Sequence, residues 1–204
     1  MKQEKVWDSI AVEWKDYRTK VPPTVEKFLE GKKGKILDMG CGSGRNIMKL
    51  PEVQWYGCDF SSEMLKYAKD FVDKKKIDAE LVKCESDDLP YEDNFFDAVL
   101  CFAVIHCVDT AKKRKGTIEE IYRVLKPNAT ALISSWGPKS PKLRTKEKEC
   151  FVTWSEREGK KINRYTYVYD LDELVELCKK TGFEIVNSWE ERNVNVIVRK
   201  PKKL

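Results

Sequence analysis

Three glycines within five residues follow a short apolar run: Lys35-Ile36-Leu37-Asp38-Met39 leads into Gly40-Cys41-Gly42-Ser43-Gly44. No other stretch constrains this chain as tightly. An apolar strand, an acidic residue and alternate glycines let the backbone turn sharply and approach a ligand closely. The residues that follow exclude two nucleotide-binding patterns. A phosphate-cradling P-loop ends in Gly-Lys-Ser/Thr, and here Gly44 is followed by Arg45-Asn46. A dinucleotide fingerprint needs G-x-G-x-x-G, and position 45 is Arg. What remains is G-x-G-x-G with Asp38 upstream. The alternative is a strand-to-helix turn that is glycine-rich for steric reasons alone.

The periodicity around this loop alternates between short strands and helices. Strands are expected at Lys35–Met39, Gln54–Cys58, Glu80–Cys84, Ala98–Val104 and Ala129–Ser134, and helices near 44–49, 62–73, 111–125 and 171–181. Such alternation argues for a parallel sheet covered on both faces. Ahead of it, Val6, Trp7, Ile10 and Trp14, then Val25, Phe28 and Leu29, recur at helical spacing, with Pro22-Pro23 separating two helices within 1–33. Glu184–Trp189 and Val194–Arg199, separated by Glu190–Asn193, read as a terminal strand pair. Segment 137–169 interrupts the pattern after the fifth strand. Its Phe151–Trp154 and Arg164–Tyr169 pair as a hairpin about Glu158-Gly159-Lys160, which reads as a lid over the carboxyl ends of the strands, where open α/β sheets bind ligands. The whole chain, 1–204, is expected to be one domain.

Charge sharpens the interest of that insertion. It holds nine basic and four acidic residues, and so carries a charge equal to the +5 of the whole chain. A neutral body with one basic insertion points to an anionic partner, or to a solvated lysine-rich loop. The cysteines (41, 58, 84, 101, 107, 150 and 178) form no C-x-x-C, and there is a single histidine, so no metal site is expected. Several of these cysteines sit in apolar strand patterns as small hydrophobes, as in a reducing cytoplasm. The N-terminal Met1–Lys5 has no apolar signal region, and no apolar run is long enough for a membrane span. The expectation is a cytoplasmic protein.

Two side chains stand where ligand chemistry is expected. Asp59 closes the second strand, where a carboxylate can accept hydrogen bonds from both hydroxyls of a ribose; its alternative is a helix N-cap, a role Ser61 can also fill. His106 stands at the carboxyl edge of the fourth strand, a site position rather than a core one.

The loop Asp38-x-Gly40-x-Gly42-x-Gly44 resembles the cofactor loop of class I methyltransferases that use S-adenosylmethionine (SAM). The resemblance implies an α/β, Rossmann-like class I methyltransferase fold: a seven-stranded, mostly parallel sheet with helices on both faces, an antiparallel strand slotted in last and a lid insertion after strand 5. For the cofactor it implies Asp38, Gly40, Gly42 and Gly44 in the loop and Asp59 with Phe60 at the ribose. On that resemblance Glu85 and Ser86 meet the adenine, Met64 with Leu65 covers its face or belongs to the ordinary core, Arg18 reaches the methionine carboxylate or is a surface arginine, and Phe102 and Ala103 close the site.

A narrower likeness spans nearly the whole chain. Val6–Ala11, Tyr17–Lys20, Ala103–His106, Ser135-Trp136, Phe151–Trp154, Arg164–Tyr169 and Glu190–Asn193 look like the eukaryotic tRNA wobble-uridine carboxymethyl methyltransferases, although Cys107 stands where those often carry a second histidine. This implies methyl transfer to the carboxylate of a 5-carboxymethyluridine in a tRNA anticodon loop. His106, Arg164 and Arg192 would then orient that carboxylate, and Tyr165, Tyr167 or Trp136 would stack on the base or pack the lid. Lys139, Lys142, Arg144, Lys146, Lys160 and Lys161 would meet phosphates. It also implies a small zinc-binding activator pairing along the edge strand Glu80–Lys83. The competing expectations are a small-molecule carboxyl, O- or N-methyltransferase and a catalytically silent SAM-binding subunit.

Overall fold

The computed structural model describes residues 2–143, 145 and 147–202. Helices α1 (Gln3–Tyr17) and α2 (Pro23–Leu29) lead into β1 (Gly34–Met39), β2 (Val53–Asp59), α3 (Ser62–Lys75), β3 (Ala79–Lys83) and β4 (Phe96–Phe102). A 3-10 turn at Ile105–Cys107 precedes α4 (Ala111–Val124) and β5 (Leu125–Trp136). The hairpin β6 (Glu149–Ser155) and β7 (Lys161–Tyr167) is followed by α5 (Leu171–Thr181), β8 (Glu184–Glu190) and β9 (Asn193–Arg199).

Seven strands form one sheet in the order β3-β2-β1-β4-β5-β9-β8, and β6 and β7 pair separately. β9 runs antiparallel between β5 and β8, while β1 to β5 are parallel. The expected α/β methyltransferase architecture is therefore present. Its strands are continuous apolar runs because both faces are covered. Leu37, Met39, Val99, Cys101 and Ile133 bury on one face, in a core that includes Ile118 and Ile121 of α4 and Leu174 and Cys178 of α5. Ile36, Ala98, Leu100 and Leu132 bury on the other, with Val25, Phe28 and Leu29 of α2 and Ala68 and Val72 of α3.

Local signals explain the helix ends. Pro23 starts α2, where its missing N–H is no loss. Ser61 caps α3 by accepting from the Met64 N–H, and Thr110 caps α4 by accepting from the Lys113 N–H. Gly182 closes α5 in the left-handed conformation.

The helix expected near 44–49 is absent. Residues 42–46 form consecutive turns, with Gly44 N–H donating to Cys41 O and Ile47 N–H to Gly44 O. Gly42 at φ 54° and Gly44 at φ 84° lie in the left-handed region, so a right-handed helix cannot start there. The fourth strand also stops at Phe102, short of the expected Val104, because Ala103 turns to φ 61°.

The 149–167 hairpin forms as expected, with Phe151 opposite Tyr165 and a turn in which Glu156 N–H donates to Lys160 O. It rests on α1: Glu13 accepts from Trp154 Nε1 and Arg157 N–H, and Gln3 Oε1 accepts from Tyr165 N–H. Helix α1 in turn is tied to α3, since Asp8 Oδ1 accepts from Ser61 Oγ and Glu63 N–H. The lid is thus a two-part cover of helix and hairpin. Among the described residues no helix is long and apolar enough to cross a membrane.

Candidate functional site

A cavity of about 1020 Å³ opens between the carboxyl ends of the parallel strands and the α1–hairpin cover. It is lined by Gly40 and Gly42 from the glycine loop, Asp59 and Phe60 after β2, Met64 of α3, Glu85 and Ser86 after β3, and Phe102, Ala103 and His106 after β4. Arg18, Arg164 and Arg192 also line it. Leu65 packs against the core, and of the other fifteen residues assigned above to the cofactor or to a substrate carboxylate, the cavity wall holds all but two.

Those two sit behind it. Asp38 lies beneath the loop, buried, with Oδ1 accepting from Asn46 Nδ2 at 3.3 Å and Oδ2 without a partner. Gly44 is a packing glycine rather than a ligand-facing one: a Cβ there would lie 3.3 Å from the Ala68 backbone. The glycines therefore divide the work. Gly40 lets Val104 pack close, Gly44 lets α3 pack close, and Gly42 alone faces open space, where an added Cβ would meet nothing nearer than Trp14 Nε1 at 3.7 Å.

Asp59 accepts from Gly42 N–H and Ser61 N–H, both at 2.9 Å, so it shapes the loop and the start of α3 together. Each carboxylate oxygen keeps a lone pair for a ligand hydroxyl. Ser61, not Asp59, caps α3. Burial pushes the Asp59 carboxyl up to about 6, and three backbone N–H groups restrain that rise. Asp38 is pushed up to about 7, again by burial, with the Asn46 hydrogen bond and Arg45 opposing it. Glu85 is exposed and pairs with Lys113 at 3.1 Å, while Ser86 Oγ and Thr117 Oγ1 are 2.8 Å apart. Ala103 holds its left-handed backbone with its N–H donating to Ser134 O, a costly conformation of the kind found at ligand sites.

The other half of the cavity is aromatic and cationic. The Arg164 guanidinium lies 5.3 Å from the Trp7 ring, 5.4 Å from Trp14, 5.6 Å from Trp154 and 5.8 Å from Trp136. It is buried, its Nε has no partner, and it forms no ion pair among the described residues. Its pKa is lowered by burial first, then by Arg18. His106 stacks on Trp136 with ring centroids 4.9 Å apart and has an unpartnered Nδ1. Burial, then Arg164 and Arg18, push its imidazole down to about 3, so it is neutral at physiological pH. Arg18 lies over Trp14 and Tyr17, with its Nε also unpartnered. Arg192 is exposed at the rim.

Of the three aromatics considered for stacking, only Trp136 reaches the cavity. Tyr165 and Tyr167 pack the lid instead. The Tyr165 hydroxyl accepts from Arg114, whose guanidinium lies 3.8 Å from the Tyr167 ring, and the Tyr167 hydroxyl bonds Glu173. Lys139 lines the cavity and pairs with Glu190, and Lys142 lies over Tyr17. Lys160 and Lys161 are exposed at the hairpin tip. Arg144 and Lys146 lie outside the described residues.

Sequence reasoning passed over Trp7, Trp14, Arg45, Asn46 and Asn195, which also line the cavity. Arg45-Asn46 directly follows the glycine loop, a usable signal. The tryptophans read as ordinary helix-face hydrophobes and Asn195 as a strand interior, so nothing local marked them. Among the described residues no group of three His, Cys, Asp or Glu is placed to hold a metal ion.

Residues 37–133 match the family model described as a methyltransferase domain. A putative methyltransferase of Encephalitozoon cuniculi is 30% identical over 173 residues, covering 81% of this chain and 78% of its own length. The tRNA (carboxymethyluridine(34)-5-O)-methyltransferase of Arabidopsis thaliana is 35% identical over 135 residues, covering 65% of this chain and 32% of its own. The chain thus spans about a third of the length of that relative and of the mammalian tRNA methyltransferase 9B relatives it matches, 32–33% in each. Among solved structures, the complex of the Haloferax volcanii Trm112 methyltransferase activator with a putative methyltransferase superposes with a TM-score of 0.74 at 18% identity, covering 96% of this chain and 98% of the other.

Proposed function

This chain belongs to the SAM-dependent methyltransferase family, and from that premise we propose that it methylates the carboxylate of a carboxymethyl-modified wobble uridine in tRNA. The cavity fits the cofactor. Gly42 leaves an open cradle, and among the described residues Asp38 Oδ2 and Asn46 Oδ1 are buried acceptors without partners and Arg18 Nε is a donor without one. When bound, SAM supplies an electrophilic methyl group on a sulfonium. On this reading Arg18 faces its carboxylate, Asp59 its ribose, and Glu85, Ser86 and Met64 its adenine, while Phe102 and Ala103 form the floor.

One observation carries the substrate half: Arg164, a buried guanidinium in the cavity wall with no counter-ion among the described residues, lies close to the rings of four tryptophans. An unpaired buried cation is costly, and an anionic ligand offsets that cost. A carboxylate is already ionised at neutral pH, so its methylation needs alignment and exclusion of water rather than a general base. Neutral His106 suits that task, since it positions by hydrogen bonding without neutralising the nucleophile. Arg192 at the rim assists Arg164. The Arabidopsis relative, whose name gives this reaction, supports the reading.

In the same reading the chain works as one unit, 1–204, with 137–169 as the RNA-facing lid, and Lys160 and Lys161 at its tip meet anticodon-loop phosphates. A small activator docks on β3 at Glu80–Lys83. That strand is the exposed edge of the sheet, and Lys83 bonds Glu4 of the α1 cover at 2.6 Å.

Incubation with labelled SAM and total tRNA, with and without such an activator, followed by nucleoside analysis, tests the proposal. The expected product is an alkali-labile ester on uridine. Reversing charge at Lys160 and Lys161 is expected to weaken tRNA binding and flatten its salt dependence, leaving SAM affinity unchanged. An absence of label in RNA under both conditions, with SAM still bound, would reassign the site to a small carboxylic acid.

The raised carboxyls give a pH signature. Asp38 at about 7 and Asp59 at about 6 keep protons in the folded chain that the unfolded chain releases near pH 4. Stability from these two groups therefore falls as pH rises from about 4 to about 7. A cationic ligand favours their ionised forms, so SAM binding is expected to tighten over the upper part of that window and to release protons. Calorimetry in buffers of different ionisation enthalpy reads both effects. A flat affinity from about pH 5.5 to about pH 8 would detach these carboxyls from the cofactor.

A further inference from the structure

Across the carboxyl end of the sheet, Phe102 of β4 pairs in register with Ser134 of β5, and Ser134 pairs with Asn195 of β9. The three residues form a row, so Asn195 stands two strand spacings, on the order of 10 Å, from the Phe102 end of the site. Asn195 lines the cavity and is only 3% exposed. Asn195 Nδ2 donates to Asn193 O at 3.1 Å, which fixes the amide orientation. Its Oδ1 is then a buried acceptor with no partner among the described residues. Neighbouring groups are already engaged: Asn193 Nδ2 donates to Ser134 Oγ at 3.0 Å, and Ser135 Oγ donates to Trp136 O. A buried acceptor left unpaired is destabilising, and one on a residue of a cavity wall marks a place where a ligand brings a donor.

Resting on the wobble-uridine reading above, we infer that Asn195 Oδ1 accepts the N3–H of the target base and makes the enzyme selective for uridine over cytidine. Uracil has one ring donor on its pairing edge, N3–H, between two carbonyl acceptors. Cytosine presents an unprotonated N3 there, which would set two acceptors against each other in a dry site. Trp136, on the same face of β5 as Ser134 and also in the cavity wall, stacks on His106, and the pair bounds the side of this row. A pyrimidine with a two-carbon carboxyl arm and one hydrogen bond spans a length comparable to the row from Asn195 towards Phe102. Recognition by a single well-placed acceptor is effective because its cost falls on the wrong base, which leaves it unpaired.

The test uses the full chain, labelled SAM and two anticodon stem-loop RNAs, one with 5-carboxymethyluridine at the wobble position and one with its N3-methyl derivative. The N3-methyl group is expected to lower kcat/KM of the parent protein by about tenfold or more. Asn195→Leu is expected to lose about tenfold on the unblocked RNA and to show little further loss on the blocked one. Equal N3-methyl penalties in the two proteins would overturn the inference alone. No methylation of the carboxymethyluridine RNA by the parent protein would overturn the wobble-uridine reading and this inference with it. If Asn195→Leu no longer binds SAM, Asn195→Asp decides, because it keeps an oxygen acceptor at that position. Retention of the N3-methyl penalty by Asn195→Asp supports the inference, and its loss overturns it.

Discussion

Replacing Arg164 with methionine is expected to lower kcat/KM by roughly a hundredfold, the loss of about 3 kcal/mol of charge-assisted binding in a dry site. SAM affinity and thermal stability are expected to stay near those of the parent. The separation of the two effects is what makes the substitution informative. A guanidinium that held the fold together would have an acid partner, and Arg164 has none among the described residues. Its companions are the rings of Trp7, Trp14, Trp136 and Trp154, with which a thioether of similar length also packs favourably. Removing an uncompensated buried charge offsets whatever cation–π attraction is lost. A melting curve, a SAM titration and a turnover assay on one protein sample read all three quantities. A large fall in melting temperature with turnover retained would make Arg164 a structural residue and remove the argument for an anionic substrate.

The glycine loop carries the second large effect. Gly40→Val is expected to abolish SAM binding together with much of the stability. The reason differs from the usual one for such a loop. A Cβ at position 40 would lie 2.5 Å from Val104 Cγ2 and 2.8 Å from Cγ1, and the residue sits at φ 67°. The clash is with the protein, and it pushes on the turn that carries His106. Gly42→Ala is the counterpart. Its Cβ meets nothing closer than 3.7 Å and points into the cradle, so the fold survives with a backbone cost of about 1–2 kcal/mol while SAM affinity falls. Calorimetry paired with thermal melts distinguishes them. If Gly42→Ala bound SAM as tightly as the parent, the cradle assigned to that position would be wrong.

Much of this architecture is legible in the residues because parallel strands and amphipathic helices write different periods. Ile36 to Met39 and Ala98 to Cys101 are unbroken apolar runs, apart from Asp38, of the kind a strand covered on both faces requires. Ser61, Pro23 and Gly182 mark helix ends by local chemistry. The hairpin is equally readable from its two β-rich runs about Gly159. Where the reading failed, two local rules competed. Residues 44–49 stand where the alternation of strands and helices calls for a helix, but the left-handed glycines at 42 and 44 prevent one from starting. For Tyr165 and Tyr167 the sequence leaves base stacking and lid packing open, and Arg114, reaching across from α4, holds them in the lid.

By itself, then, the sequence determined the order of strands and helices, the glycine loop with its carboxylates, and the basic insertion, because each is set by contacts between near neighbours. Tertiary structure decided the site's chemistry. The tryptophan box assembles from α1, the end of β5 and β6, and the Phe102–Ser134–Asn195 row from three different strands. His106 is neutral because the fold buries it and, second, because Arg164 and Arg18, distant in the chain, are brought near it. These properties depend on which strands become neighbours and on how α1 docks over them. Burial and electrostatic coupling act through space, and no window of consecutive residues contains them.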